Sequence, residues 1–321
     1  IGLIVTGYAY VSHPLGQANT GQYGIYGDKL IPGWKRIVKM VHDSGESKIA
    51  MQIVHAGFNS GYLINQGKSV LAVSKLPEAK RAHREMTDDD IEEIIDNFGK
   101  AAKRVREAGF DAVQLHGAHG YIFSQFASPL FNHRTDRWGG SPENRRRFLM
   151  EVIRKIRKAV GDDFPVLIKF GVKDDRKGGV SLREGIKTCQ QMVLAGIDGI
   201  EVSGGVGSSP LSIKEGEIDK PAFRERAAKV KKAVNVPVAV VHGIRSLEMA
   251  EDIIDSGDAD MVSMCRPFIR EPHLILRWQR GDTRPAACTS CEKCSRLVAR
   301  GKPLECVEER RLRSHNLDSR T

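Results

Sequence analysis

The strongest constraint on this chain is a repeated exchange between two hydrophobic periods. Short Val/Ile-rich runs near residues 3, 50, 113, 168, 200, 239 and 262 alternate with longer stretches whose apolar residues recur at helical spacing. The runs cover Gly2 to Gly7, Lys48 to Val54, Ala112 to Leu115, Val166 to Phe170, Gly199 to Ser203, Pro237 to Val241 and Asp260 to Met264. A run that is apolar on both faces is buried on both faces, as in a parallel sheet covered by helices. Helices are expected over Ile31 to His42, from Thr87 to Gly109, and over Pro142 to Val160, Leu182 to Ala195, Pro221 to Ala233 and Leu247 to Asp255. Thr87 with Asp90 forms a capping box, and Ser141-Pro142 supplies an N-cap and a first-turn proline. Loops are expected over Ser12 to Gly27, which is Gly-rich, over Phe58 to Met86, which is polar, and after Ser203. The fold class is therefore α/β. A closed (β/α)8 TIM barrel fits better than a doubly wound sheet, because no glycine fingerprint follows the first run. Seven strands are visible rather than eight.

The 321 residues suffice for one large core or two modest ones, and no run of 18 apolar residues spells a membrane helix. No signal peptide is visible ahead of Ile1, so a reducing cytoplasm is the default compartment. The formal net charge of +10 favours anionic ligands such as phosphates or CoA esters. The basic residues lie on helix faces without interleaved aromatics, which argues against a nucleic-acid surface.

Chemistry concentrates in one stretch, DAVQLHGAHGYIFSQFASPLFNHRTDRWGGSPENRRRF, from Asp111 to Phe148. A buried strand delivers His116, His119 and Tyr121 at its C-terminal end, where barrels carry their active sites. One histidine there would read as a satisfied surface group; two with a phenol read as a proton-handling site. Gln52 ends another run, with an amide that both donates and accepts. Lys169 ends VLIKF, and a lysine there either snorkels to solvent or turns inward as a point charge. His242-Gly243 leads a strand into a helix, a place for phosphate. Cys265-Arg266 closes the last strand with a guanidinium suited to the same anion.

The HGAHGY and RTDRWGGSPENRRRF segments resemble the old yellow enzyme family, the FMN-dependent ene-reductases, on the branch that includes 2,4-dienoyl-CoA reductase. Against that pattern the chain enters at the second strand, so the first barrel strand and helix are not seen. The resemblance implies an NAD(P)H-dependent flavin enzyme that reduces the C=C bond of an enone or enoyl thioester. It implies that His116 and His119 bind the substrate carbonyl oxygen and that Tyr121 protonates the α-carbon. It implies FMN contacts from Gly7, Gln52, Lys169, His242, Gly243, Cys265 and Arg266. Four residues depart from the pattern: Phe58 for Arg, Lys169 for Arg, His242 for Gly, and Cys265 for Gly or Ala.

Six cysteines are present, and Cys288-x2-Cys291-x2-Cys294-x11-Cys306 reads as a metal site rather than a disulfide framework. Thiolates at this spacing suit a [4Fe–4S] cluster or zinc. The resembled branch bears such a cluster, with one more residue between its second and third cysteines. A division follows, with a flavin-binding barrel over residues 1–280 and a cysteine-bearing extension over 281–321. Two other readings stand open: a flavin-free lyase using Lys169 as a Schiff-base amine on a phosphorylated substrate, and an inactive truncated barrel. The expected partner is a small molecule, with neither nucleic acid nor membrane; homo-oligomerisation is left open.

Overall fold

The computed structural model describes residues 1–208 and 221–318. Among the described residues the main sheet has eight parallel strands, of which seven follow one another in sequential order: β1 (Leu3–Val5), β2 (Lys48–Val54), β3 (Ala112–Gly117), β4 (Val166–Gly171), β5 (Gly199–Ser203), β6 (Val238–Val241) and β7 (Met261–Ser263). Every neighbouring pair is parallel. Each connection carries a helix or a longer crossover, including α1 (Ile31–Asp43), α2 (Asp88–Glu107), α3 (Pro142–Val160), α4 (Leu182–Leu194), α5 (Arg224–Lys231) and α6 (Leu247–Asp255). This is the arrangement of a (β/α)8 barrel that lacks some elements. Among the described residues β1 and β7 do not pair. The burial pattern follows: β3 and β5 are buried throughout, whereas β1 is half-buried and Met261 on β7 is 44% exposed.

The expected helix signals operate. Thr87 Oγ1 accepts from the Asp90 N–H at 3.2 Å while Asp90 Oδ2 accepts from the Thr87 N–H at 2.8 Å, closing the capping box of α2. Ser141 Oγ accepts from the Asn144 N–H at 3.2 Å at the start of α3. α5 is shorter than expected, beginning at Arg224 rather than Pro221. The Gly- and Ser-rich loop after β5 is described only as far as Ser208, and residues 209–220 lie outside the described residues.

The Phe58 to Met86 stretch corrects the expectation of a loop. It holds a short helix (Gly61–Ile64) and a parallel pair, Val70–Ala72 with His83–Glu85, around its own apolar cluster of Phe58, Leu63, Val70 and Ala72. Apolar runs this short carry too little periodicity to separate strand from loop. Ala9–Tyr10, a two-residue strand on the end of β2, was hidden for the same reason.

The RTDRWGGSPENRRRF segment is a brace. Buried Arg134 donates to the carbonyls of Val73 and Met86 at 3.0 and 2.7 Å and pairs with Asp136, tying the β2–α2 connection to the β3–α3 connection. Gly139 is obligatory: a Cβ there would lie 2.4 Å from the Arg134 carbonyl oxygen. Arg145 pairs with Glu184 of α4 at 2.8 Å and caps the Gly140 carbonyl at 2.7 Å. Behind the brace, the short helix Ile122–Ala127 buries Phe123 against Phe98 of α2 and stacks Phe126 on Phe148 of α3, ring centroids 4.0 Å apart. That packing anchors the turn carrying His119 and Tyr121 to the core. No helix among the described residues is long and apolar enough to cross a membrane.

Candidate active site

Strand register assembles the site. Alternate residues of a strand share a face, and the sheet sets Gln52 opposite Gln114, His116 opposite Lys169, and Lys169 opposite Glu201. One face thus carries a polar row across four strands. Its side chains form an unbroken chain: Gln52 Nε2 donates to Gln114 Oε1 at 2.6 Å, Gln114 Nε2 donates to Glu201 Oε2 at 3.0 Å, and Lys169 Nζ donates to Glu201 Oε1 at 3.1 Å. Lys169 therefore turns inward rather than snorkelling to solvent. Gln114 and Glu201 were not singled out in the sequence, because only the pairing of distant strands gives them partners.

His116 is buried, and its ring lies 5.1 Å from that of His119 and 5.0 Å from that of Tyr121, edge-on to both. The Ala118 N–H donates to His116 Nδ1 at 3.4 Å, which assigns the proton of the neutral ring to Nε2. His119 has φ +59°, a left-handed conformation, and its Nε2 meets Ser203 Oγ at 2.9 Å. Tyr121 sits at the N-cap of the Ile122–Ala127 helix. A fourth aromatic, Tyr8, completes the group. Its hydroxyl lies 3.2 Å from that of Tyr121, and its ring meets His116 edge-on at 5.4 Å. Nothing local marks Tyr8 in the sequence; it arrives because β1 lies beside β2.

Burial governs the electrostatics. Desolvation, then the neighbouring His119 and Lys169 charges, hold His116 well below the usual imidazole range. Burial and then Lys169 push His119 down to about 4. Burial, helped by the adjacent Tyr8, pushes the Tyr121 phenol above its ordinary value. Both imidazoles are thus neutral near pH 7 and the phenol is protonated. Away from this group, His55 is also fully buried and pushed down to about 3.

These depressed imidazoles predict a pH dependence of stability. Their folded-state values lie below the unfolded value of about 6.5, so the unfolded chain takes up protons that the fold refuses. Stability is complete above about pH 6.5 and is lost progressively as pH falls from there towards 4. Urea unfolding at pH 7 and pH 5 checks this. A lower midpoint at pH 5 is expected, and equal midpoints would show that these rings cost nothing to bury.

At the other end of the sheet, His242 and Gly243 take φ +86° and +87° after β6. The left-handed turn explains why a glycine suits position 242. Burial, then Arg266 and Lys169, push His242 down to about 4. Among the described residues the polar contacts of Arg266 are long, 3.4 Å to His242 Nε2 and 3.5 Å to Glu292. Arg245 in the same turn is buried, and its Nε and Nη1 have no hydrogen-bond partner among the described residues. Cys265 is exposed beside Arg266. Gly7 lies just beyond β1, and a Cβ there would reach the Tyr23 ring at 3.5 Å.

Cys288, Cys291, Cys294 and Cys306 all line one cavity of about 20 Å³, together with Arg266 and Arg270. Ser290 and Glu292, on either side of Cys291, are non-glycine residues with φ +54° and +58°. Among the described residues no group of three or more His, Cys, Asp or Glu is placed to hold a metal ion. The four cysteines singled out in the sequence thus lie around one cavity, though among the described residues they are not arranged as a set of metal ligands.

A groove of about 580 Å³ opens at His119, between Phe58 and Phe131 on one side and Gly205 to Ser208 on the other. The Arg81 guanidinium lies over the Phe58 ring, 4.4 Å from its centroid, and also faces this groove.

The donor set matches the parts of a flavin mononucleotide. An amide at Gln52 and an ammonium at Lys169 suit a polar ring edge. The loosely held Arg266 and the orphaned nitrogens of Arg245 suit a phosphate dianion. The residues fit the group.

Comparison with known proteins agrees. The model of the NADH:flavin oxidoreductase / NADH oxidase family matches residues 1–284. An NADH oxidase from Thermoanaerobacter brockii is 38% identical over 91% of this chain and 45% of its own length. A metal reductase from Desulforamulus reducens is 34% identical over 95% of this chain and 46% of its own. The solved structure of a 2-naphthoyl-CoA reductase with 2-naphthoyl-CoA superposes with a TM-score of 0.87 at 28% identity, covering 95% of this chain and 48% of that one. The chain thus spans less than half the length of each of these three.

Proposed function

The chain belongs to the NADH:flavin oxidoreductase / NADH oxidase family, and from that premise we propose that it reduces the C=C bond of α,β-unsaturated carbonyl compounds with NAD(P)H and FMN. The observation that carries this reading is the convergence of two neutral imidazoles and a protonated phenol on one strand end. FMN, when bound, supplies the hydride carrier between nicotinamide and substrate. Gln52, Lys169, Arg266 and the His242-Gly243 turn would hold it, with Gly7 and Cys265 nearby.

The protein's own groups do the rest. His116 presents an Nε2–H, fixed by the Ala118 N–H on its other nitrogen, and donates it to the substrate carbonyl oxygen. His119, braced by Ser203, lies beside the same oxygen. Donation there stabilises the enolate that forms as hydride reaches the β-carbon. Tyr121 then gives its proton to the α-carbon. Its raised pKa keeps that proton in place across the neutral range until a carbanion calls for it. The likeness to a 2-naphthoyl-CoA reductase supports a thioester as the finer substrate class. The lyase reading loses support because the Lys169 ammonium is tied to Glu201 rather than free as an amine.

Absorption and chromophore release test the reading. A yellow protein that yields FMN and turns over an enone with NAD(P)H is expected; a colourless, borohydride-trappable protein would overturn it. Arg266→Ala should lower FMN affinity roughly tenfold or more, since a hydrogen bond to a charged group is worth about 1.5–3 kcal/mol. Fluorescence titration measures this, and unchanged affinity would put the phosphate elsewhere.

In this reading residues 1–280 form the flavin barrel and 281–321 carry a metal centre. Support comes from four thiols around one cavity and from the left-handed residues that shape the loop between them. A [4Fe–4S] cluster suits these donors best, with zinc the other possibility. Iron with acid-labile sulfide in equal amounts, after anaerobic purification, is the expected analysis. Zinc without sulfide would make the site a structural staple, and four freely titratable thiols would sink it.

A further inference from the structure

Tyr8 is held more firmly than packing alone requires. Its carbonyl accepts from Gln22 Nε2 at 2.9 Å, and Gln22 Oε1 in turn accepts from the Ala18 and Asn19 N–H groups at 2.6 and 3.3 Å. Gln17 Nε2 donates to the Asn19 carbonyl at 2.9 Å. The loop after β1 is thereby wound so that Asn19 Nδ2 donates to the Tyr8 hydroxyl oxygen at 3.0 Å. That oxygen then sits 3.2 Å from the Tyr121 hydroxyl. The ring contacts of Tyr8 with His116 and Tyr121 would be met by phenylalanine. The bracing of the hydroxyl would not.

The hydrogen-bond inventory shows what the brace achieves. An amide N–H can only donate, so Asn19 occupies a lone pair of Tyr8 and leaves its proton for another acceptor. In the structure the Tyr121 hydroxyl donates to the Tyr8 oxygen at 3.2 Å, so the Tyr121 oxygen becomes the adjacent acceptor only when its own proton is gone. While Tyr121 is protonated the two hydroxyls share one hydrogen bond. Once Tyr121 has lost its proton, its oxygen is a phenolate in a buried site, where an unpaired charge is costly. Tyr8 itself is only half-buried.

Resting on the ene-reduction reading above, we propose that Tyr8 is a positioning residue that reloads the Tyr121 proton donor. As Tyr121 passes its proton to the substrate α-carbon, Tyr8 passes its hydroxyl proton to the Tyr121 oxygen and recovers one from water. One proton enters from solvent for the C–H bond formed at the α-carbon, the hydride having formed that at the β-carbon, so the exchange balances for each turnover.

The test uses FMN-loaded protein, parent and Tyr8→Phe, with two oxidants for the reduced flavin. An enone needs a carbon protonated; a quinone does not. Flavin content and the rate of reduction by NAD(P)H report whether the variant folds. Tyr8→Phe should slow oxidation by the enone roughly 10- to 100-fold, as expected for losing a hydrogen bond to a developing charge. Its solvent isotope effect should rise, and oxidation by the quinone should stay within about twofold. Asn19→Ala, which frees the Tyr8 hydroxyl from its brace, should move the enone rate in the same direction by less. Equal slowing with both oxidants would make Tyr8 structural and overturn the proposal, as would an unchanged enone rate in Tyr8→Phe. A parent that never oxidises with an enone would sink the ene-reduction reading and this proposal with it. An active parent with an indifferent variant would sink this proposal alone.

Discussion

Tyr121→Phe is expected to slow oxidation of the reduced enzyme by an enone roughly 10²- to 10⁴-fold, the usual worth of a positioned general acid. Reduction of the flavin by NAD(P)H should stay nearly intact, because no carbon is protonated in that half. The separation follows from geometry. The Tyr121 hydroxyl meets Tyr8 and its ring meets His116, whereas the Gln52–Gln114–Glu201–Lys169 chain is closed by its own hydrogen bonds. Deleting it leaves that chain, and with it the proposed flavin contacts, untouched. Phenylalanine keeps the ring in its cage of Tyr8 and His116, so the fold should be preserved. Stopped-flow measurement of the two halves decides: equal slowing of both would make Tyr121 a packing residue.

Removing the two imidazoles together, by His116→Ala with His119→Ala, should be comparably severe. A single oxyanion donor is worth roughly 10²–10³ in rate. The double variant should also bind phenols much more weakly, since a phenolate oxygen mimics the enolate. The loss should be in recognition rather than in folding, because both rings are held neutral at a cost in desolvation that alanine would relieve. Charge-transfer absorbance on phenol titration measures the binding. Phenol affinity equal to the parent's would place the oxygen site away from these histidines.

How much of this was legible in the sequence depends on whether a signal is local. The seven strands and six helices were readable because their periodicities and caps lie within single segments. The Thr87–Asp90 box and the Ser141 cap are found as expected. His116, His119 and Tyr121 stood out because one strand end carries all three. Gln114, Glu201 and Tyr8 did not, since their partners come from other strands, 87 residues away for the Gln114–Glu201 contact. Arg245 was invisible for a related reason: only folding buries two of its nitrogens without partners among the described residues. The RTDRWGGSPENRRRF segment was the most specific pattern in the chain, yet Arg134, Gly139 and Arg145 brace the connections rather than face the site. His242 shows the reverse case. Its place in a left-handed turn accounts for the glycine that a phosphate-binding turn prefers there.

The reaction itself can be followed by isotope. FMN-loaded protein is reduced anaerobically with NADPH or NADH carrying deuterium at the transferable nicotinamide position, and a single equivalent of enone is added. The expected product is the saturated ketone, with deuterium on the β-carbon and a solvent proton on the α-carbon. An allylic alcohol, or recovered enone beside reduced flavin that does not reoxidise, would contradict C=C reduction by this chain.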